Sequence, residues 1–121
     1  MNRTLENPIA VLNDIKGIEN VLHFSRMSSV RRVFFSSSSE VYGEPVEMPQ
    51  RESTTPLNSR LPYAVVKNVG ESYFKAYFQE FGLPFTILRF FNTYGPLQSD
   101  DFVMSRFLKR RSEERRVGKE C

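Results

Sequence analysis

The spacing of apolar and polar positions predicts alternating helices and strands. Over residues 8–27, apolar side chains recur every three or four positions, which indicates a helix packed on a sheet. The apolar run at residues 33–35 predicts a strand at about residues 32–37, and the largely apolar residues 85–91 predict a second one. Residues 61–80 between them again have helical spacing. Gly82 is expected to end that second helix. The predicted order is therefore helix, strand, helix, strand.

Two strands joined by a helix form a βαβ unit, so this order predicts an α/β fold with one preceding helix. A right-handed crossover would lay the strands parallel and bring Ser38 and Asn92 to the same edge of the sheet. We predict part of a Rossmann-like, doubly wound parallel sheet. Residues 43–60 form a connection that is longer than most loops and is therefore a candidate functional segment.

Side chains with catalytic potential follow this pattern at two points. Ser38 lies where the first apolar strand stops, which is where ligands bind in open α/β sheets. Tyr63 and Lys67 begin the next helix, and a spacing of four places both on one face. An ammonium group beside a phenol favours the phenolate, which could act as a base while the serine hydroxyl bonds to the same substrate oxygen.

Each feature also has an ordinary structural explanation. A Tyr-x-x-x-Lys pair arises by chance in amphipathic helices, and a serine run is commonly a turn or linker. The order favours a catalytic centre, because the serine run directly follows an apolar strand and the pair opens the next long helix. His23, the only histidine, has no cysteine or second histidine near it, so no metal site is expected.

Three motifs in register resemble those of the extended short-chain dehydrogenase/reductase family. They are Ser-Ser-Ser-Glu-Val-Tyr-Gly-Glu-Pro (37–45), Pro-Tyr-Ala-Val-Val-Lys (62–67) and Arg-Phe-Phe-Asn-Thr-Tyr-Gly-Pro (89–96). The resemblance covers about residues 8–110 and is specific to the NAD-dependent nucleotide-sugar epimerases, dehydratases and decarboxylases. It implies NAD as the cofactor and a nucleotide sugar as the substrate.

The resemblance also implies catalytic roles. Tyr63 would remove a proton from a sugar hydroxyl, usually at C4, while hydride passes to NAD+. Lys67 would stabilise the phenolate and bind the nicotinamide ribose, and Ser38 would be the serine partner. The ketone that results could then lead to epimerisation or to decarboxylation, an isomerase or a lyase reaction.

Other residues are assigned to cofactor and substrate by the same resemblance. Ser36 and Ser37 would line the nicotinamide pocket, together with Tyr63 and Lys67. Phe91 would approach the nicotinamide. Asn92 would hold the diphosphate side of the substrate. Ser38 would also contact the substrate.

Glu40 bears on the type of reaction. Dehydratases of the family typically carry Asp-Glu after the catalytic Ser/Thr, whereas this chain has Ser39-Glu40, which argues against 4,6-dehydration because the usual proton donor is missing. The pattern is closer to uronate decarboxylases and some epimerases. Glu40 could instead be a solvated turn acid. A non-catalytic Rossmann-like binding or regulatory protein is the second hypothesis for the whole chain.

Length sets a limit that the motifs do not. The chain has 121 residues, and members of the family run to two or three times that length. It contains no G-x-x-G-x-x-G segment to hold a pyrophosphate. Residues 1–110 are therefore expected to be the central part of the domain. They would lack the N-terminal nucleotide-binding half and the C-terminal substrate domain, and would be inactive alone.

Residues 111–121 depart from the family pattern and resemble a translated sequencing adapter, so we expect a non-native tail. A charged solvated tail and a nucleic-acid-binding arm are the alternatives. The net charge of +3 is too small to suggest a nucleic-acid partner, and no apolar run reaches the length of a membrane span. A cytoplasmic protein is expected, and the family implies a homodimer.

Overall fold

The computed structural model describes residues 7–99 and 103–117. The chain divides into two compact units, Met1–Phe91 and Asn92–Cys121, and each is described by itself. Within the described residues, no helix combines the length and the apolar character needed to cross a bilayer.

Two helices open the first unit, where the sequence predicted one. Helix α1 spans Pro8–Leu12 and helix α2 spans Asp14–Met27. The Asn7 side chain accepts a hydrogen bond from the amide of Ala10 (3.1 Å), as expected of a residue that caps a helix. Asn13 separates the helices although its backbone stays right-handed helical, and Lys16 N donates to Asn13 O over only three residues. The interruption is therefore a change in hydrogen bonding and not a sharp turn.

A parallel pair of strands forms the sheet. Strand β1 spans Val33–Ser38, strand β2 spans Phe85–Phe90, and their register runs from Val33 opposite Phe85 to Ser38 opposite Phe90. The prediction of an α/β fold with parallel strands is confirmed. Because the strands are parallel, the carboxyl ends of both lie at one edge of the sheet.

The connection after β1 begins with a 3₁₀ turn, Ser39–Tyr42, and leads irregularly to helix α3, Pro62–Phe81. Gly43 has a φ of 62°, and a Cβ atom there would overlap the carbonyl of Asn58. The Asn58 amide donates to Val41 O (3.0 Å), and the Ser59 hydroxyl donates to the same oxygen (3.1 Å). The end of the long loop is thereby attached to the turn.

Helix α3 crosses from one strand to the other and packs against β1 and α2. Gly70 makes this approach possible, since a Cβ atom there would overlap the ring of Phe35. The buried core contains Leu22, Phe35, Phe74 and Leu83. The later aromatic residues of α3 differ in burial. Phe74 is buried, Tyr73 and Tyr77 pack against the core, and Phe78 and Phe81 are exposed.

Part of the apolar surface of the first unit remains open. Phe34, on β1, is 64% exposed, and Phe24 on α2 is 71% exposed. A cleft of about 430 Å³ lies between α2 and β1, and Phe34 and Val21 line it. Parallel sheets are usually covered on both faces, so these exposed apolar side chains are those of a sheet with only two strands.

The second unit contains helix α4, Val103–Val117. The apolar residues Val103, Phe107 and Leu108 also favour a short helix here from the sequence alone, which Asp100 or Asp101 could cap and Phe102 could join, but these last three lie outside the described residues. Helix α4 is longer than predicted and passes through the expected boundary at residue 110. That residues 111–121 are a non-native tail stays a prediction.

Candidate active site

Ser38 is placed by the end of β1. Ser38 is 9% exposed. Its hydroxyl oxygen accepts a hydrogen bond from the amide of Glu40 (3.2 Å), so Ser38 caps the 3₁₀ turn. Polar caps satisfy backbone amides that have no partner in a helical turn. The strand thus ends, and the turn begins, at the predicted catalytic serine.

Tyr63 and Lys67 are placed by the first turns of α3. Pro62 occupies the first helical position, where a missing N–H costs nothing. Tyr63 is 38% exposed, and the Lys67 ammonium nitrogen lies 5.6 Å from the centre of the Tyr63 ring. The pair therefore shares one helical face, as the spacing predicted.

Lys67 connects this helix to the serine strand. Its Nζ donates a hydrogen bond to the Ser36 carbonyl oxygen (2.8 Å) and lies 5.4 Å from the centre of the Phe35 ring. Burial lowers the pKa of Lys67, and the charge of Asp14 on α2 opposes that shift. The structure therefore brings Lys67, on the helix that also carries Tyr63, to the strand that ends at Ser38.

The two other serines of the run face different surroundings. Ser36 is exposed, and its carbonyl is the acceptor for Lys67. Ser37 is buried, and its hydroxyl donates to the Glu71 carboxylate (2.6 Å). The alternation of a strand accounts for this difference. Their assignment to a nicotinamide pocket stays a prediction.

Glu40, Phe91 and Asn92 are all exposed. Glu40 lies in the 3₁₀ turn, where its amide donates to Ser38 and its carbonyl accepts from Gly43 N (3.1 Å). Phe91 follows β2 directly, and its ring stacks on that of Tyr42 at 6.5 Å between centres. Asn92 opens the second unit. The roles predicted for these three residues stay predictions.

Sequence reasoning missed a buried polar cluster beside these residues. Glu71, on α3, is fully buried, and its carboxylate forms a two-pronged ion pair with Arg89 on β2. Arg89 also donates to the hydroxyl of Tyr42 (2.9 Å). We call Ser37, Glu71, Arg89 and Tyr42 the buried cluster. A single arginine inside the apolar run 85–90 was the sequence signal, because such a residue needs a partner.

The charges of the buried cluster are mutually stabilised. Burial alone would raise the pKa of Glu71, but the hydrogen bonds from Arg89 and Ser37 and the charge of Arg89 hold that pKa below its usual value. The hydrogen bond to Glu71 correspondingly raises the pKa of Arg89. Both side chains are therefore charged at neutral pH.

The arrangement has the parts needed for proton abstraction at the carboxyl edge of the sheet. It joins an accessible phenol, an ammonium group held on the backbone of β1, and a hydroxyl at the strand end. The described residues contain no group of three or more His, Cys, Asp or Glu side chains that could hold a metal ion. The parallel strands and the helix that connects them define a Rossmann-like α/β protein.

Comparison with known proteins identifies the family. The model of the NAD dependent epimerase/dehydratase family matches residues 1–121. An uncharacterized UDP-glucose epimerase of Bacillus subtilis, YtcB, is 36% identical over 110 residues, which cover 90% of this chain and 34% of that protein. UDP-glucuronic acid decarboxylase 6 of Arabidopsis thaliana is 34% identical over 109 residues, covering 84% of this chain and 32% of that protein.

A solved structure agrees with these relatives. The UDP-glucose 4-epimerase from Brucella ovis, in complex with NAD, superposes with a TM-score of 0.70 at 29% identity, covering 76% of this chain and 28% of that one. The chain therefore belongs to the NAD dependent epimerase/dehydratase family, and the predicted resemblance is confirmed. It spans about a third of the length of the curated relatives it matches.

Proposed function

We propose that the whole protein is an NAD-dependent enzyme that oxidises a hydroxyl of a nucleotide sugar, as a UDP-sugar 4-epimerase or a UDP-glucuronate decarboxylase. The observation that carries the proposal is the hydrogen bond from Lys67 Nζ to the Ser36 carbonyl. It attaches the Tyr-x-x-x-Lys helix to the strand that ends at Ser38. The relatives named above, an epimerase and a decarboxylase, support both reaction types.

The residues present fit the nicotinamide end of NAD. Lys67 is half-buried and hydrogen-bonded to the strand backbone, and the neighbouring Ser36 is exposed at the carboxyl edge of the sheet. Lys67 and Tyr63 would hold the ribose, and Ser36 and Phe91 would line the ring. Ser37 would contribute to this pocket through its backbone, because its hydroxyl donates to Glu71. When bound, NAD would supply a hydride acceptor that can also return the hydride.

The chain's own residues would move the proton. Tyr63, as phenolate, would take it from the C4 hydroxyl of the sugar, and the Lys67 ammonium would stabilise the negative phenolate. The Ser38 hydroxyl would donate a hydrogen bond to the same sugar oxygen. Asn92 would bind the diphosphate. Glu40 would act on the sugar. The reaction would be decarboxylation or epimerisation and not 4,6-dehydration, since Ser39 stands where 4,6-dehydratases carry Asp.

The test is turnover by the whole protein with NAD. UDP-glucose, UDP-galactose and UDP-glucuronate are supplied separately, and products are resolved by chromatography and proton NMR. Interconversion of the first two supports an epimerase, and release of carbon dioxide with a UDP-pentose supports a decarboxylase. Binding of NAD and a UDP-sugar without turnover of any substrate would instead indicate a non-catalytic Rossmann-like protein.

A matched pair of variants tests the assigned base. Tyr63→Phe should lower kcat at least about a hundredfold, because the proton acceptor is removed while the ring stays. Tyr77→Phe is the control, since Tyr77 lies on the same helix and packs against the core.

Light scattering on the same preparation tests the homodimer that the family implies.

A further inference from the structure

We propose that Glu71 and Arg89 are positioning residues that hold the turn carrying Ser38 and Glu40 at a fixed place against the helix carrying Tyr63 and Lys67. This proposal rests on the proposed function for its meaning in catalysis, although the structural part can be tested separately. Neither residue is assigned to substrate or cofactor.

The first step is the location of Glu71. It follows Lys67 by four positions on α3, so the two side chains lie one helical turn apart. Lys67 bonds to the Ser36 carbonyl, and Glu71 accepts from the hydroxyl of the next residue, Ser37. Helix α3 is thus attached to two consecutive residues of β1, directly before Ser38.

The second step is that Glu71 uses both carboxylate oxygens. Its Oε1 accepts from Ser37 Oγ (2.6 Å) and from Arg89 Nε (2.9 Å), and its Oε2 accepts from Arg89 Nη2 (2.8 Å). The side chains of Glu71 and Arg89 are 1% and 12% exposed. A two-pronged contact fixes orientation as well as distance, which a single hydrogen bond does not.

The third step is the reach of Arg89 to the turn. Arg89 lies opposite Ser37 in the strand register, and its Nη1 donates to Tyr42 Oη (2.9 Å) and to the Glu52 carbonyl (3.3 Å). Tyr42 is the last residue of the 3₁₀ turn, and Ser38 caps the first end of that turn. The buried cluster therefore holds the turn at its far end while β1 holds it at Ser38.

The fourth step is energetic. A buried ion pair loses much of its hydration, and an apolar pair of the same size would often give equal or greater stability. Stability alone therefore does not account for a charged pair here. Accurate placement of the catalytic groups accounts for the pair, because a displacement of about 1 Å between reacting groups can cost about a hundredfold in rate.

The test begins with Glu71→Gln in the whole protein. The amide keeps the shape but loses the charge and one acceptor, so we expect kcat to fall at least about tenfold while KM for the nucleotide sugar changes less than about twofold. The acid limb of kcat against pH should move to higher pH, since Lys67 would no longer be held in place to stabilise the phenolate that the proposed function requires. Glu80→Gln, an exposed glutamate on the same helix, is the control.

A double variant separates positioning from folding. Glu71→Leu with Arg89→Met replaces the ion pair by apolar contacts and should keep the melting temperature within a few degrees of the wild type. We expect its kcat to stay at least about tenfold low. Recovery of both melting temperature and kcat would overturn the proposal, as would a folded Glu71→Gln enzyme with unchanged kcat and pH profile.

Tyr42→Phe covers the case in which the ion-pair variants do not fold. It removes the hydroxyl that Arg89 contacts but leaves the ion pair intact, so a folded protein with a kcat about three- to tenfold lower is expected. An unchanged kcat in this variant would overturn the proposal that the buried cluster positions the turn.

Hydrogen exchange distinguishes failure of this proposal from failure of the proposed function. On the peptide covering residues 38–43, exchange should be at least about fivefold faster in Glu71→Gln and Tyr42→Phe than in the wild type. Arg32→Lys, which alters an exposed arginine joining the same two strands, should leave it unchanged. No change in exchange would overturn the positioning claim, whereas faster exchange in a protein without turnover would overturn only the proposed function.

Discussion

The two ends of the parallel strand pair are joined by arginines of opposite character. At the amino end, Arg32 is exposed and donates to the Phe85 carbonyl (2.8 Å) and the Thr86 hydroxyl (3.0 Å), both uncharged acceptors. At the carboxyl end, Arg89 is paired with a fully buried glutamate. The amino end is thus fastened at the surface, whereas the carboxyl end carries buried charge beside the predicted catalytic residues.

This difference indicates where accurate geometry matters. Exposed contacts such as those of Arg32 have a small desolvation cost and contribute little to stability, since water competes for the same groups. The buried cluster has a large desolvation cost that only its complete hydrogen bonding offsets. Buried charges of this kind concentrate at functional sites, in agreement with the proposed roles of the neighbouring residues.

The largest expected effect comes from removing one partner of the ion pair. Glu71→Leu leaves the Arg89 charge buried without its carboxylate, so we expect the free energy of unfolding to fall by about 3–5 kcal/mol. Arg32→Leu should cost less than about 1 kcal/mol. Urea denaturation of the whole protein measures both, and equal losses would remove the distinction between the two ends.

A second prediction concerns the close approach of α3 to β1. Gly70→Ala places a methyl group against the Phe35 ring and should destabilise the protein by about 1–3 kcal/mol. The control is Gly17→Ala on α2, where nothing lies within 4 Å of the added carbon and a gain of about 0.5–1 kcal/mol is expected. A harmless Gly70→Ala would show that the helix can shift without loss.

Acid should weaken the ion pair at the carboxyl end, because one partner is a carboxylate. The pKa of Glu71 is lower in the folded protein than its usual value of 4.5, so its contribution to stability is full above that value and is lost as the pH falls through the lowered pKa. The free energy of unfolding of the wild type should therefore fall more steeply below pH 4.5 than that of Glu71→Gln. Equal slopes would contradict the charged pair. Arg32→Lys should keep the slope of the wild type.

The smallest expected effect concerns Lys67. Asp14 opposes the effect of burial on the pKa of Lys67, so Asp14→Asn should lower that pKa further. Acetylation of Lys67 at a series of pH values, followed by mass spectrometry, would then show a midpoint at lower pH than in the wild type. Glu19→Gln, another exposed carboxylate on α2, should leave the midpoint unchanged.

Local features of the site could be predicted from the sequence. Apolar runs gave both strands, and the spacing of Tyr63 and Lys67 correctly placed them on one helical face. The end of α3 before Gly82 was also predicted. Each of these depends on neighbours within a few residues, for which periodicity and backbone preference are reliable guides.

Pairings between distant residues could not be predicted. Glu71 and Arg89 are 18 residues apart, and Ser37 is 34 residues from Glu71, so their contact depends on how α3 crosses the sheet. The interruption at Asn13 was missed because that residue keeps helical dihedral angles. The run of four serines likewise gave no sign of which hydroxyl is buried.

Because the oxygen of Ser38 already accepts from the amide of Glu40, the hydroxyl proton does not point toward that amide. One lone pair is engaged within the protein, and the proton is left to point elsewhere. Under the proposed function, a sugar oxygen would meet a donor with fewer rotamers open to it, so less rotational entropy would be lost on binding.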